Sequence, residues 1–303
     1  VEDKMKMKWA VVIFIVIVVL VGVFFFRAKE QEIYKVTGNT LAYSEERGKT
    51  NYEVIKKWEN DSVEIREIKF KSRPFQNQET YIYGYLFLPK GKENVPGFVF
   101  LPAGEATKES REKLLIKLAK EGYASLAIDQ RGVGDTGGTF LWIDQDYQIF
   151  KQGDEPVQHL AVYDALRSFD VLREIKEIDE KKIGFAGESM GGRYALIAAS
   201  IEKRSKGAIV ISSAGFNVPL NPMQEANDYL LSIDPDHYVS GISPRYLAML
   251  HGTNDTVVPI KNAQITFNKA KEPRSFYIAE GCEHGYCEKM WNELVKDLGV
   301  MFG

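Results

Sequence analysis

From Pro96 to the C-terminus, short unbroken apolar runs alternate with stretches of helical period. The runs fall at residues 98–101, 123–128, 183–186, 208–211, 246–250 and 275–279. A run with no polar alternation suits a strand covered on both faces, as in a parallel sheet. The intervening segments carry apolar residues at helical spacing, such as Leu114, Leu115 and Leu118 before the stop at Gly122. Further helices are expected at 157–175, 193–201, 260–271 and 288–300. Alternation of this kind requires right-handed crossovers and predicts an α/β fold: a mainly parallel sheet with helices on both faces. Upstream, Val63, Ile65, Ile68 and Phe70 mark one half-buried strand. Tyr81, Tyr83, Tyr85 and Phe87 mark one face of a second, and the two read as an antiparallel hairpin.

Two long segments interrupt the alternation, 129–156 and 213–245. Both follow the carboxyl ends of expected strands, where open α/β sheets bind ligands, and the second is expected to be a small lid. The N-terminus differs from the rest. No residue from Trp9 to Phe26 is charged, and as a helix the run would span roughly 27 Å, close to a bilayer core. Phe24, Phe25, Phe26 and Arg27 offer no small-residue cleavage site. The expected organisation is a transmembrane anchor over 1–28, a tether and lead-in over 29–60 with a short helix around 52–58, and a catalytic domain over 61–303. Lys4, Lys6 and Lys8 before the span balance Arg27, Lys29 and Lys35 after it. The orientation therefore rests on the run's likeness to an uncleaved export signal, which puts the catalytic domain outside. The protein is expected to be single-pass, contacting the membrane through residues 9–26. With 39 basic and 42 acidic residues, and no basic stripe, nothing points to a nucleic-acid partner.

Gly187-Glu188-Ser189-Met190-Gly191 lies between an expected strand and an expected helix. A serine in so tight a turn projects its hydroxyl clear of the backbone, and flanking glycines let strand and helix approach where a Cβ would collide. A serine hydroxyl needs a base, and the base needs an orienting group. Of four histidines, only His284 stands on a loop after the last strand. His251 ends a strand and reads as structural, His159 falls in a helix, and His237 in the lid. Asp255 follows the preceding strand in His251-Gly252-Thr253-Asn254-Asp255. Candidate catalytic residues are thus Ser189, Asp255 and His284. The developing oxyanion needs backbone donors, expected from Met190 and from Gly104 or Ala103 after the 98–101 strand. Cys282 and Cys287 flank His284 in a C-x4-C spacing. That set is too small for a metal centre. Ordinary thiols are the simpler reading, with a disulfide the alternative in an exported domain.

Four segments carry a resemblance: Asp129-Gln130-Arg131-Gly132, Gly187-Glu188-Ser189-Met190-Gly191-Gly192, His251-Gly252-Thr253-Asn254-Asp255 with Val258-Pro259, and Cys282-Glu283-His284-Gly285. Together, over about residues 60–303, they resemble the α/β-hydrolase superfamily, in particular its esterase and dipeptidyl-peptidase-like (dienelactone-hydrolase-like) branch. The resemblance implies an α/β-hydrolase fold and a cofactor-free, metal-free serine hydrolase. Its substrate would be a small-molecule ester or short acyl compound, cleaved through an acyl-enzyme. Many relatives carry His-Gly where this chain has Pro102-Ala103, which bears on the second oxyanion donor. Asp129 and Arg131 are expected to support the loop beside the site. Two other functions compete. One is a membrane-anchored peptidase, for which Glu105, Asp154 and Glu155 could hold a substrate amine. The other is a non-catalytic binding module on the same fold.

Overall fold

Residue 98 begins a stretch in which successive side chains go to opposite cores, which is why its strand shows no polar alternation. In the computed structural model, which describes residues 9, 12–22, 33–60, 62–218 and 226–303, this strand is β6 (Val95–Leu101). Phe98 and Phe100 join one apolar cluster with Leu114, Leu115 and Leu298. Val99 and Leu101 join the other with Leu166, Phe169 and Ala195. β9 (Gly207–Ile211) divides the same way, Ile209 and Ile211 to the first cluster, Ala208 and Val210 to the second. Helices α1 (Glu112–Lys120) and α8 (Trp291–Phe302) supply the first cluster. Helices α3 (Val157–Glu174), α4 (Met190–Ile201) and α7 (Ile260–Lys269) supply the second. Each fully buried Leu, Ile or Phe side chain contributes about 1.5–3 kcal/mol.

The main sheet contains β3 (Glu53–Glu59), β4 (Val63–Lys71), β5 (Tyr81–Pro89), β6, β7 (Ala124–Ile128), β8 (Ile178–Glu188), β9, β10 (Tyr246–Gly252) and β11 (Arg274–Ala279). Its order is β11-β10-β9-β8-β6-β7-β5-β4-β3. From β7 to β11 every pairing is parallel, while β3, β4 and β5 pair antiparallel and β5 runs antiparallel to β7. The chain leaves β6 towards β7 on one side and returns to β8 on the other. The carboxyl ends of β6 and β8 therefore flank a switch point, the crevice where this class of sheet places its ligand.

Several expectations change. Residues 52–58 form edge strand β3, not a helix. Its residues are mostly exposed, so no burial alternation marked them, but Trp58 packs edge-on against Tyr85 at 5.1 Å. Residues 33–60, expected as tether and lead-in, fold onto the domain. A hairpin of β1 (Tyr34–Thr37) and β2 (Thr40–Tyr43) is tied down by Tyr43, whose hydroxyl donates 2.7 Å to Glu155 and 2.8 Å to the His159 carbonyl. In β5 the residues Ile82, Gly84 and Leu86 are buried, while Tyr81, Tyr83 and Tyr85 face the more open side. Both long loops contain helices: α2 (Ile143–Lys151) in the first, α5 (Ala226–Ser232) and α6 (Pro235–Tyr238) in the second. The expected anchor over 1–28 lies largely outside the described residues. Residues 12–22 are helical and exposed, and among the described residues no helix is long and apolar enough to cross a membrane.

Candidate active site

Ser189 joins β8 to α4 with φ 54° and ψ −119°, a conformation that costs a non-glycine residue free energy and is characteristic of functional turns. The turn closes because its neighbours lack Cβ atoms. A Cβ on Gly187 would stand 2.5 Å from the Gly191 carbonyl oxygen, and one on Gly191 would stand 2.1 Å from that of Leu101. The Ser189 N–H donates to the Ile211 carbonyl at 2.9 Å, and its carbonyl accepts from Ser213 Oγ at 2.8 Å. The nucleophile candidate is thus locked between β8 and the end of β9, with its side chain half-buried.

Asp255 and His284 come from the loops after β10 and β11. His284 Nδ1 lies 2.9 Å from each carboxylate oxygen of Asp255. Asp255 is buried, and Oδ1 also accepts the N–H groups of Val257 and Val258 at 3.0 and 2.8 Å. Burial disfavours its charge. The Val258 N–H, His284 and the Ser212 hydroxyl outweigh that penalty and hold the carboxyl below its usual range. A carboxylate at Nδ1 can only accept, so the pair suits the His284 tautomer that carries its proton on Nδ1 and leaves Nε2 unprotonated. Among the described residues neither His284 Nε2 nor Ser189 Oγ is hydrogen-bonded. Nucleophile–base contacts are often longer before substrate binds.

The two supporting loops are stitched together. Asn254 N–H donates to the Cys282 carbonyl at 2.9 Å, and Gly281 N–H to Thr253 Oγ1 at 2.8 Å. Cys282 and Cys287 form a disulfide rather than the expected thiols. Their Cα atoms stand 6.2 Å apart because the chain turns back between them, within the span a disulfide can bridge. His251 is structural: its Nε2 donates to the Val258 carbonyl at 2.7 Å, and burial depresses its basicity.

Met190 and Gly104 meet across the switch point. A Cβ on Gly104 would lie 3.5 Å from the Met190 side chain. Among the described residues the N–H groups of Met190, Ala103 and Gly104 have no hydrogen-bond acceptor. The loop that carries the last two is fixed by Gln130, whose Nε2 donates to the Pro102 carbonyl at 2.6 Å. Asp129 accepts from Lys108 N–H and Nζ at 2.6 and 3.0 Å, and Arg131 forms a buried two-pronged pair with Asp164 at 2.7 and 2.8 Å. Both residues brace the loops from below, as expected. Of Glu105, Asp154 and Glu155, the last is taken up by Tyr43 and Arg73, and the other two are exposed. Among the described residues no cluster of three or more His, Cys, Asp or Glu is placed to hold a metal ion.

Three residues escaped the sequence reading. Ser212, fully buried with φ 49°, accepts the Gly285 N–H at 2.9 Å, and its hydroxyl favours the charged form of Asp255, so it stands between the acid and the His284 loop. Gln130 sits in a segment singled out only for its charged neighbours. Arg193 follows the elbow by one turn. A serine just past a strand and an arginine in a helix carry no distinguishing sequence signal. In the lid, Tyr229 is buried and its hydroxyl donates to Asp146 at 2.9 Å, so it anchors α5 to the first long loop. Phe216 stacks under the Arg193 guanidinium at 4.7 Å.

Sheet order, elbow and the acid–histidine pair define an α/β-hydrolase. Within that class the chain belongs to the acetyl xylan esterase (AXE1) family, whose model matches residues 40–216, more than half its length. Among solved structures, an acetyl xylan esterase from Paenibacillus sp. R4 superposes with a TM-score of 0.69 at 19% identity, covering 84% of this chain and 90% of that one. Acetyl xylan esterase 1 from Thermoanaerobacterium sp. JW/SL YS485 superposes with a TM-score of 0.68 at 15% identity, covering 84% and 89%. The uncharacterized protein YfhR of Escherichia coli K12 is 24% identical over 172 residues, 55% of each chain. The aligned part of this chain thus spans about half the length of that relative.

Proposed function

We propose that this protein is a serine esterase that cleaves carboxylic esters of short acyl groups through an acyl-enzyme. The observation that carries the reading is the His284–Asp255 pair, set on the same carboxyl edge of the sheet as the Ser189 elbow. Ser189 Oγ attacks the acyl carbon while His284 Nε2 takes its proton. Asp255 stabilises the imidazolium without itself becoming protonated. The tetrahedral oxyanion is received by the N–H of Met190 and by that of Ala103 or Gly104, and one such donor supplies about 3 kcal/mol of transition-state stabilisation. Collapse expels the alcohol, protonated by His284. Water then enters by the same route in reverse and releases the acid.

The family name and the titles of both structural neighbours favour acetyl esters. The lid supports a small acyl pocket, since Tyr229 and Asp146 pin α5 close to the domain. We further propose that residues 9–26 anchor the chain in a membrane and that the domain lies outside the cytoplasm. Support comes from the uninterrupted apolar run and from the Cys282–Cys287 disulfide, a bond that persists in oxidising compartments. The test is kcat/KM for 4-nitrophenyl esters from acetate to octanoate, alongside aminoacyl nitroanilides. A decline with acyl length and negligible anilide cleavage are expected. Faster anilide than ester turnover would contradict the esterase reading.

A further inference from the structure

Arg193 lies one helical turn beyond Ser189, and its N–H donates to the Ser189 carbonyl at 3.2 Å. Side chains on a helix lean towards its N-terminus, so the Arg193 stem leans back towards the elbow. Four residues at 1.5 Å rise put the two Cα atoms on the order of 6 Å apart along the axis. The guanidinium lies 4.7 Å from the ring centre of Phe216 and 5.9 Å from that of Tyr194. Its Nη1 is closed off from solvent and donates to nothing, and among the described residues the side chain forms no ion pair or hydrogen bond.

Arg193 is half-buried, and its isolation is unlike the pairing of other arginines in the protein's interior. Arg47 is paired with Asp170 and Glu202, Arg131 with Asp164, and Arg245 lies on the carbonyls of Ala199, Glu202 and Gly241. The acid nearest in electrostatic effect, Asp234, spends its carboxylate on the N–H groups of Phe216, Val218 and Asp236 at 2.9, 3.4 and 3.0 Å. Burial depresses the Arg193 pKa, and the opposing influence of Tyr194 and Asp234 only partly offsets it. A guanidinium whose Nη1 is closed off from water without a partner is costly, and a leucine or methionine would avoid that cost. A guanidinium is always charged, and its planar fork matches a carboxylate through two parallel hydrogen bonds.

We infer that Arg193 is the receptor for a carboxylate on the substrate, so that the preferred ester carries an anionic group close to its scissile carbonyl. The inference rests on the esterase reading and narrows it to anionic esters. Phe216 and Tyr194 form the aromatic walls that hold the guanidinium in place. A substrate carboxylate completes the ion pair that the described residues leave open.

Two matched ester pairs test it. 4-Nitrophenyl butyrate against 4-nitrophenyl hemisuccinate places the anion on the acyl side. Phenyl acetate against 4-acetoxybenzoate places it on the leaving group. In the wild type, kcat/KM should favour the anionic member of at least one pair by tenfold or more. In Arg193→Met that ratio should fall at least tenfold, with partial return in Arg193→Lys. A merely structural arginine would lower both members alike and leave the ratio unchanged, which would overturn the inference, as would a wild type with no preference in either pair. A binding arm works without turnover: calorimetry of monoethyl succinate and diethyl succinate with Ser189→Ala protein, with and without Arg193→Met. Loss of at least tenfold in affinity confined to the monoanion supports the inference. Equal affinities in the two proteins, or no binding of the monoanion to Ser189→Ala, overturn it. If no ester of either pair is cleaved while the binding difference persists, the esterase reading fails and the carboxylate receptor stands.

Discussion

His284 Nδ1 sits equidistant from the two oxygens of Asp255, at 2.9 Å from each. That symmetry fixes the imidazole plane, and the Val257 and Val258 N–H groups fix the carboxylate from behind. Asp255→Asn should keep the backbone contacts but offer His284 a donor in place of an acceptor, which reverses the tautomer. We expect kcat to fall by roughly three to four orders of magnitude with the melting temperature nearly unchanged. Steady-state kinetics with a short-chain ester, beside thermal unfolding, checks both halves.

Ser212 joins Asp255 to the His284 loop through Gly285. Ser212→Ala removes the hydroxyl that favours the Asp255 charge and the acceptor for the Gly285 N–H. A buried hydrogen-bonding group left without its partner costs about 1–3 kcal/mol. We expect a loss of that size in unfolding free energy and roughly a tenfold drop in kcat, with KM held within about twofold. A fall in stability with kcat intact would assign Ser212 a packing role alone.

The Cys282–Cys287 disulfide closes a short loop around His284. The chain-entropy relation gives a bond of this span about 2 kcal/mol. Replacing both cysteines by serine should lower stability by about that amount and reduce kcat severalfold, because the histidine then samples more positions. Denaturant unfolding and kinetics of the double variant, compared with the reduced wild type, measure both effects.

The three candidate groups could be placed in the fold from the sequence because each follows a strand whose apolar run is unmistakable. Ser189 follows β8, Asp255 follows β10 and His284 follows β11, and the runs are dense because both faces are covered. The same logic failed at the sheet edge. Glu53–Glu59 has almost no buried residue, so its pairing with β4 left no trace in its composition. The helices of the second long segment went unmarked because α5 has only seven residues and α6 four, too few for a helical period to show. Ser212, Gln130 and Arg193 act through contacts that span long stretches of chain or through the lack of them, and no local pattern reports either.

The hairpin segment after residue 33 is held by a cluster of charges around Glu202. Burial disfavours the Glu202 carboxylate, but hydrogen bonds from Arg204 and Arg47 outweigh burial and bring its pKa down to about 2. Because the folded pKa is lower than the unfolded value near 4.5, the pair stabilises the protein fully above about pH 4.5. That contribution is lost as pH falls towards 2. Breaking a buried pair typically costs about 3–5 kcal/mol. Arg47→Met should therefore destabilise the protein by an amount of that order at pH 7. The gap from wild type should narrow steadily between pH 4.5 and 2. Urea unfolding across that range, with midpoints compared at each pH, gives the measurement.

The central claim is that Ser189 is a nucleophile activated by the His284–Asp255 pair. Intact-mass analysis after treatment with a fluorophosphonate, followed by peptide mapping, tests it most directly. The account predicts a single adduct, on Ser189, absent in Ser189→Ala and strongly slowed in His284→Ala. An adduct that persists in Ser189→Ala, or a wild-type protein that remains folded and unlabelled, would contradict it.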